Sequence, residues 1–113
     1  MSKSINTLTR QLRDLNPETR SKAAMNLGEM GAEEAVPSMI SAFKSDKDEN
    51  VRSVFAETFA LFSSNDDVVA ALIYAQDNDK SEIVRVSAKW ALDQIVKTRG
   101  HASLQSLLED IEK

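Results

Sequence analysis

The side chains that could carry out chemistry are few in this sequence and lack the neighbours that chemistry needs. His101 is the only histidine, and it stands after Gly100 with no adjacent His-Glu pair. Cysteine is absent, which excludes disulfides, thiolate metal ligands and a cysteine nucleophile. The acidic clusters at 46–49 and 66–67 lack the regular ligand spacing and the glycine of a calcium loop. We also find no Ser/His/Asp arrangement and no phosphate-binding glycine loop, so we predict no catalytic residue, no metal site and no cofactor.

A different pattern of charged residues recurs along the chain and sets its register. Arginines stand at positions 20, 52 and 85, at spacings of 32 and 33 residues, and each follows an aspartate by six positions. A residue that can cap a helix, namely Asn16, Asp48 or Ser81, lies four positions before each arginine. Tandem repeats of this period are typical of stacked supersecondary units. The sequence therefore predicts one small helical unit, repeated three times.

The elements that position these residues are predicted to be helices. A leading helix is expected over residues 4–15, because Ile5, Leu8, Leu12 and Leu15 recur at three- and four-residue steps. Repeats are expected over 16–46, 47–79 and 80–113, and their second helices over about 33–44, 67–77 and 103–111. The first helices are expected to bury apolar residues at matching positions of each repeat, and at one of these positions Phe62 corresponds to Met30. Together these elements predict a single all-α domain of about seven helices.

The most specific copy of the unit, within residues 16–42, contains Arg-Ser-Lys-Ala-Ala-Met-Asn-Leu-Gly followed by Glu-Ala-Val-Pro. On this motif the chain resembles HEAT-repeat proteins, of the short type named after phycobilisome lyases. The resemblance covers residues 14–99 well, although Ala60 and Asp93 replace Gly28 and Ala70 replaces Pro37 in the later copies. It implies a short right-handed α-solenoid of antiparallel helix pairs, in which stacking buries faces that one pair cannot cover.

The resemblance also implies a role for the charged series, which is the structural ladder of Asp14, Arg20, Asp46, Arg52, Asp79 and Arg85. In such folds, aspartate and arginine ladders hold adjacent repeats in register. The alternative interpretation is a row of charges that binds a ligand. We favour the structural interpretation.

Two groups of residues are candidates for binding a partner. The resemblance places the second helices on the concave side, where the candidates are Ser38, Ser41, Lys44, Ala71, Tyr74 and Asp77. Val86 and Trp90 are large and apolar at positions where the sister repeats carry Ser21 or Ser53, and Met25 or Glu57. We therefore expect Val86 and Trp90 to form an exposed apolar patch. Together with Tyr74 they are binding candidates, because tryptophan and tyrosine are favoured interface anchors. The alternative is that the end helices cover these rings.

Composition limits the class of partner. The formal net charge is -4, and residues 29–82 carry twelve acidic against four basic side chains, which disfavours binding to nucleic acid on a basic concave face. No apolar run approaches the ~20 residues of a membrane span, and we expect a cytoplasmic protein. The sequence predicts a non-enzymatic scaffold or adaptor that binds a protein or peptide on the face lined by the second helices, as a monomer or weak homodimer. The alternative implied by the subfamily resemblance is a bilin lyase or chaperone-like bilin-handling subunit that acts with a second chain.

Overall fold

The computed structural model describes residues 4–111, and of residues 101–104 it describes the backbone only. Within that range the chain is all-helical and contains no strand. The helices are α1 (Ile5–Gln11), α2 (Pro17–Glu29), α3 (Val36–Ser45), α4 (Glu49–Thr58), α5 (Asp66–Asn78), α6 (Glu82–Arg99) and α7 (His101–Ile111). Two 3₁₀ turns, Glu33–Ala35 and Phe59–Leu61, lie before α3 and after α4. The predicted fold class, a short α-solenoid of about seven helices, is confirmed.

Side-chain caps explain where most of the helices begin. The side chains of Asn16, Asp48 and Asn65 each accept a hydrogen bond from a backbone amide in the first turn of α2, α4 and α5. Ser81 stands at the start of α6, but its side chain makes no capping hydrogen bond. Gly31 has a φ of 63° in the turn after α2, a conformation that glycine adopts without steric cost.

The helices form two layers. Helices α2, α4 and α6 pack in sequence against one another, and α3 and α5 lie beside them, with α3 packed on α4 and α5 on α6. The core runs between the layers, and Phe43, Phe55 and Phe59 meet at its centre. The ring centroids of Phe43 and Phe59 are 5.4 Å apart in an edge-to-face arrangement. Each helix pair thus completes the burial of its neighbour, as expected of a solenoid.

The leading helix is shorter than predicted. It ends at Gln11 rather than at residue 15, and Leu15 is 97% exposed instead of belonging to the apolar stripe. The reason is local: the backbone before Pro17 is disfavoured in the α conformation, and Arg20 donates to the carbonyl oxygens of Asp14 and Leu15, which holds them outside a helix.

Three smaller expectations also differ. Met30 was expected to share the buried row of Phe62, but Met30 is exposed at the end of α2 while Phe62 is buried. The second helix of the first pair begins as the 3₁₀ turn and becomes α-helical at Val36. Helix α7 begins at His101 rather than at residue 103.

Candidate interaction surface

Two guanidinium–carboxylate joints link the loops and helices of successive pairs. Arg20 on α2 donates from Nε and Nη2 to the two carboxylate oxygens of Asp46, at 2.8 and 3.1 Å. Its Nη1 donates to the backbone carbonyl of Asp14, six residues earlier, at 2.8 Å. The Asp46 carboxylate also accepts from the amide of Asp48, the residue that caps α4. One arginine therefore fixes both its own preceding loop and the loop that starts the next first helix.

The second joint repeats this geometry one unit later. Arg52 on α4 donates from Nε and Nη2 to Asp79, both at 3.1 Å, and from Nη1 to the carbonyl of Asp46 at 3.0 Å. Asp79 in turn accepts from the amide of Ser81. The Arg52 side chain is 7% exposed and that of Asp79 is 13% exposed, so this joint is mostly shielded from water.

Pairing shifts the pKa values of Asp79 and Arg20 in the directions that favour their charged forms. Burial alone would raise the pKa of Asp79, but the hydrogen bonds from Arg52 and the Ser81 amide outweigh it and lower the pKa. The hydrogen bond to Asp46 raises the pKa of Arg20 against the opposing effect of burial. Both groups are thus held in their charged forms.

The ladder is incomplete at both ends of the described chain. Arg85 on α6 donates from Nη1 to the carbonyl of Asp79 at 2.7 Å, as the other two arginines do to their own aspartates. Within residues 4–111, however, no carboxylate accepts from Nε or Nη2 of Arg85. At the other end, the Asp14 carboxylate accepts from the amide of Asn16, with no guanidinium partner among the described residues.

A groove of about 670 Å³ lies between the C-terminal halves of α3 and α5. Its floor includes Phe43 and Ala75, and Tyr74, which is 66% exposed, stands on its wall. Ala71 of α5 also lines it, and Arg52 of α4 reaches it. The remaining lining is polar or charged and comes from the ends of α3 and α5 and the loops that follow them: Lys44, Ser45, Asp46, Lys47, Asn78, Asp79 and Lys80.

The groove brings together part of the concave set predicted from the sequence. Lys44, Ala71 and Tyr74 line it, but Ser38, Ser41 and Asp77 do not. Ser41 is exposed and accepts a hydrogen bond from Arg13 at 2.9 Å, which ties it to the end of α1. Ala71 was expected to face a partner, yet it is only 6% exposed because α5 turns this small residue toward the core.

Sequence reasoning missed two lysines of this groove, Lys47 and Lys80. A signal existed, because each lysine directly follows a ladder aspartate, so both occupy the same position of the repeat. The first copy has Leu15 at that position. The joints place these positions at the groove edge by fixing the loops that carry them.

Val86 and Trp90 lie elsewhere, on α6 in the layer of first helices. They are 60% and 48% exposed, and Ile83, one turn before Val86, is also exposed. The three side chains stand at positions i, i+3 and i+7 of one helix and so share a face. About half or more of each side chain is exposed, so the three form an apolar stripe along α6.

The described residues contain no group of three or more His, Asp or Glu side chains arranged to hold a metal ion. The side chain of His101 lies outside the described part of the chain, as does that of Leu104. None of the helices within residues 4–111 has both the length and the apolar character needed to cross a membrane.

Comparison with known proteins agrees with this architecture. A family model described as HEAT repeats matches residues 5–93, a range that begins at the first residue of α1 and ends within α6. No curated protein matches the chain.

Proposed function

Because the chain belongs to the HEAT-repeat family, we propose that it works as a non-catalytic adaptor that binds a segment of another protein. HEAT repeats commonly mediate interactions between proteins. The finer proposal is that the partner segment is acidic and lies in the groove between α3 and α5. It rests on the charge of that groove and on the exposure of Tyr74.

The charge of the groove is opposite in sign to that of the whole protein. Both acidic side chains in its lining are engaged by the ladder, since Asp46 pairs with Arg20 and Asp79 pairs with Arg52. Lys44, Lys47 and Lys80 remain without a carboxylate partner among the described residues. In a chain of net charge -4, this groove is a local concentration of uncompensated positive charge.

Tyr74 supplies the apolar part of the site. Its ring is mostly exposed beside buried Phe43 and Ala75, and tyrosine loses little conformational entropy on binding. A matching ligand is an extended peptide with an aromatic or apolar side chain for Tyr74 and carboxylates on either side for the lysines. Such a segment gains both burial and charge pairing, and the charge pairing weakens as salt is added.

Fluorescence anisotropy with a labelled, capped peptide of one phenylalanine flanked by glutamates tests the proposal. We expect saturable binding that weakens about tenfold in Tyr74→Ala and in the double variant Lys47→Gln/Lys80→Gln, since two exposed charge pairs together contribute about 1.4 kcal/mol. The matched control is Lys89→Gln/Lys97→Gln, which removes the same charge from exposed positions of α6.

Equal binding by both double variants would refute the groove as the site, and so would equal binding of a peptide with lysines in place of the glutamates. The bilin-handling alternative is tested at the same place, because the groove lysines could pair with the carboxylates of a tetrapyrrole. Incubation with bilins should then produce visible absorbance that remains with the protein on gel filtration and disappears in the Lys47→Gln/Lys80→Gln variant.

A further inference from the structure

The apolar stripe on α6 occupies positions that are polar or small in most of the sister helices. Val86 corresponds to Ser21 on α2 and Ser53 on α4, and Trp90 corresponds to Met25 and Glu57. Ile83 corresponds to Glu18 and Asn50. Of α2, α4 and α6, only α6 therefore carries large apolar side chains at all three positions.

The seam between α4 and α6 shows what these positions face. Ser53 of α4 is buried and shares a 2.6 Å hydrogen bond with Ser87 of α6, and Glu57 accepts from Ser87 at 3.4 Å. Ser53 on α4 thus lies where the next first helix packs, and Glu57, which is itself exposed, lies at the edge of that contact. On α6 the corresponding positions hold Val86 and Trp90, and within residues 4–111 no further first helix covers them.

The ladder ends at the same place. Arg20 and Arg52 each use Nη1 to hold their own loop and use Nε with Nη2 to hold the carboxylate ahead of the next first helix. The Nη1 atom of Arg85 is already held by the carbonyl of Asp79. The guanidinium is therefore oriented like the other two, with its carboxylate-binding edge unused by any described residue. Bidentate binding of a carboxylate is the strongest geometry available to arginine.

From these observations we propose that the exposed end of the solenoid, formed by Ile83, Arg85, Val86 and Trp90, binds a helix of a second protein. That helix has an aspartate or glutamate just ahead of its first turn, as α4 and α6 have in Asp46 and Asp79. The carboxylate binds to Arg85, and an apolar face of the helix covers Val86 and Trp90. The interaction continues the stacking of the chain across two molecules, and it is separate from the groove between α3 and α5.

A second copy of this chain fits the end less well than a different protein. Its Asp14 has the required carboxylate, because no described guanidinium engages it. However, α1 packs on α2 as α3 packs on α4, and Arg13, just after α1, donates to Ser41 of α3, so α1 belongs to the layer of second helices. A copy stacked through its α2 would bring its own α1 to the position that α7 holds beside α6. The steric conflict favours a partner without a leading helix of this kind.

The chain provides both a probe and a reporter for the test. A synthetic peptide of residues 46–62 contains the loop aspartate and the helix that stack on α2 in the intact chain, and it has no tryptophan or tyrosine. Trp90 is the only tryptophan of the protein, so its emission reports on the proposed site alone. We expect the peptide to shift the emission to shorter wavelength, with half-saturation below about 1 mM.

Two matched pairs test the contacts. The peptide variant Asp46→Asn should bind about five- to tenfold more weakly to the wild-type protein, because one charge-assisted interaction is lost. The protein variant Arg85→Gln should lose the same factor, whereas Arg10→Gln, an equal charge change on α1, should lose none. Val86→Ser introduces the residue of the sister helices and should weaken binding without loss of fold.

Several outcomes would overturn the proposal. One is that peptide at up to about 1 mM leaves the wavelength of Trp90 emission unchanged. Another is that the Arg85→Gln and Arg10→Gln variants bind the peptide with equal affinity. A concentration-dependent dimer in sedimentation, lost in Val86→Ser while the peptide has no effect, would assign the surface to a second copy. Glu112 follows Asp79 by 33 residues in the sequence. Peptide binding that appears in the Glu112→Gln variant but not in the wild-type protein would also overturn the proposal, because it would assign Glu112 of the same chain as the carboxylate that Arg85 binds.

Discussion

Replacing Arg52 with methionine removes one joint of the ladder while it nearly preserves side-chain volume. The change deletes the two hydrogen bonds to the Asp79 carboxylate and the one to the carbonyl of Asp46. It leaves the Asp79 carboxylate, which is largely shielded from water, without its hydrogen-bonded counter-charge, and only the more distant charge of Arg85 remains nearby. The expected effect is a loss of stability that greatly exceeds the value of an exposed ion pair.

The magnitude follows from what Asp79 retains. Breaking a buried ion pair by removing one partner costs about 3–5 kcal/mol. Asp79 keeps the hydrogen bond from the Ser81 amide at 2.9 Å and is 13% exposed, so water can reach part of it. We therefore expect the lower end, about 3 kcal/mol. With a urea dependence of roughly 2 kcal/mol per molar for a domain of this size, the midpoint of urea unfolding should fall by about 1.5 M.

The assay is urea unfolding followed by circular dichroism at pH 7, repeated at decreasing pH. Because the folded-state pKa of Asp79 is lowered, its contribution to stability is present above the unfolded pKa of about 3.9. That contribution disappears as the pH falls through the folded value. Wild-type protein should thus lose stability on acidification through this region, and the gap between wild type and Arg52→Met should narrow.

The chain offers its own matched control in Arg85→Met. Arg85 occupies the same position of the repeat but binds no carboxylate within residues 4–111, so this variant should lose only the hydrogen bond to the Asp79 carbonyl, about 1 kcal/mol. Equal losses in Arg52→Met and Arg85→Met would refute the reasoning, because the cost could not then come from the carboxylate. A loss of stability in Arg52→Met that does not change with pH would also refute the assignment of the cost to the Asp79 carboxylate.

Three other substitutions test the packing and the caps. Gly28→Ala should destabilise by about 1–3 kcal/mol, although alanine favours helices, because the new Cβ would overlap the γ-methyl of Thr58; the added change Thr58→Ser should restore most of the loss in urea unfolding. Asp48→Ala should lower stability by about 1 kcal/mol, because the Asp48 side chain caps two amides of α4. Ser81→Ala should cost less than about 0.5 kcal/mol, because the Ser81 side chain makes no capping bond, and thermal melts of the two variants compare these losses. Ser87→Ala should cost about 1 kcal/mol by removing the buried bond to Ser53, and Ser21→Ala, at the position of α2 that matches Ser53, should be nearly neutral by the same measurement.

The repeat register could be found from the sequence because the same residue types recur at the same positions of each repeat. Aspartate, arginine and the capping residues each have one dominant use in a helix–loop–helix unit, and three copies in phase make the pattern unambiguous. The same register could have corrected the end of α1. Leu15 aligns with Lys47 and Lys80, which follow ladder aspartates in loops, so its place in an apolar stripe conflicts with its place in the repeat.

The groove could not be found in the same way. Its lining comes from the ends of α3 and α5 and from the loops after them, and its shape depends on how closely the two joints hold those loops. Periodicity assigns Ala71 to the same helix as Tyr74, but only packing decides that the alanine turns inward and the tyrosine outward. Contacts between units depend on interhelical distances, which residue types alone do not define.

Comparison of the three repeats distinguishes residues that the fold requires from residues that are particular to one repeat. Ser21 and Ser53 show that serine suffices at the position of Val86, and Glu57 shows that a charged residue suffices at the position of Trp90. A terminal unit that served only to end the stack would gain solubility from polar residues at those positions. The third unit instead carries apolar side chains there, next to Arg85, whose Nε and Nη2 bind no carboxylate within residues 4–111. Folding of the described residues does not require this combination, and the helix-binding role proposed above for this end of the solenoid accounts for it.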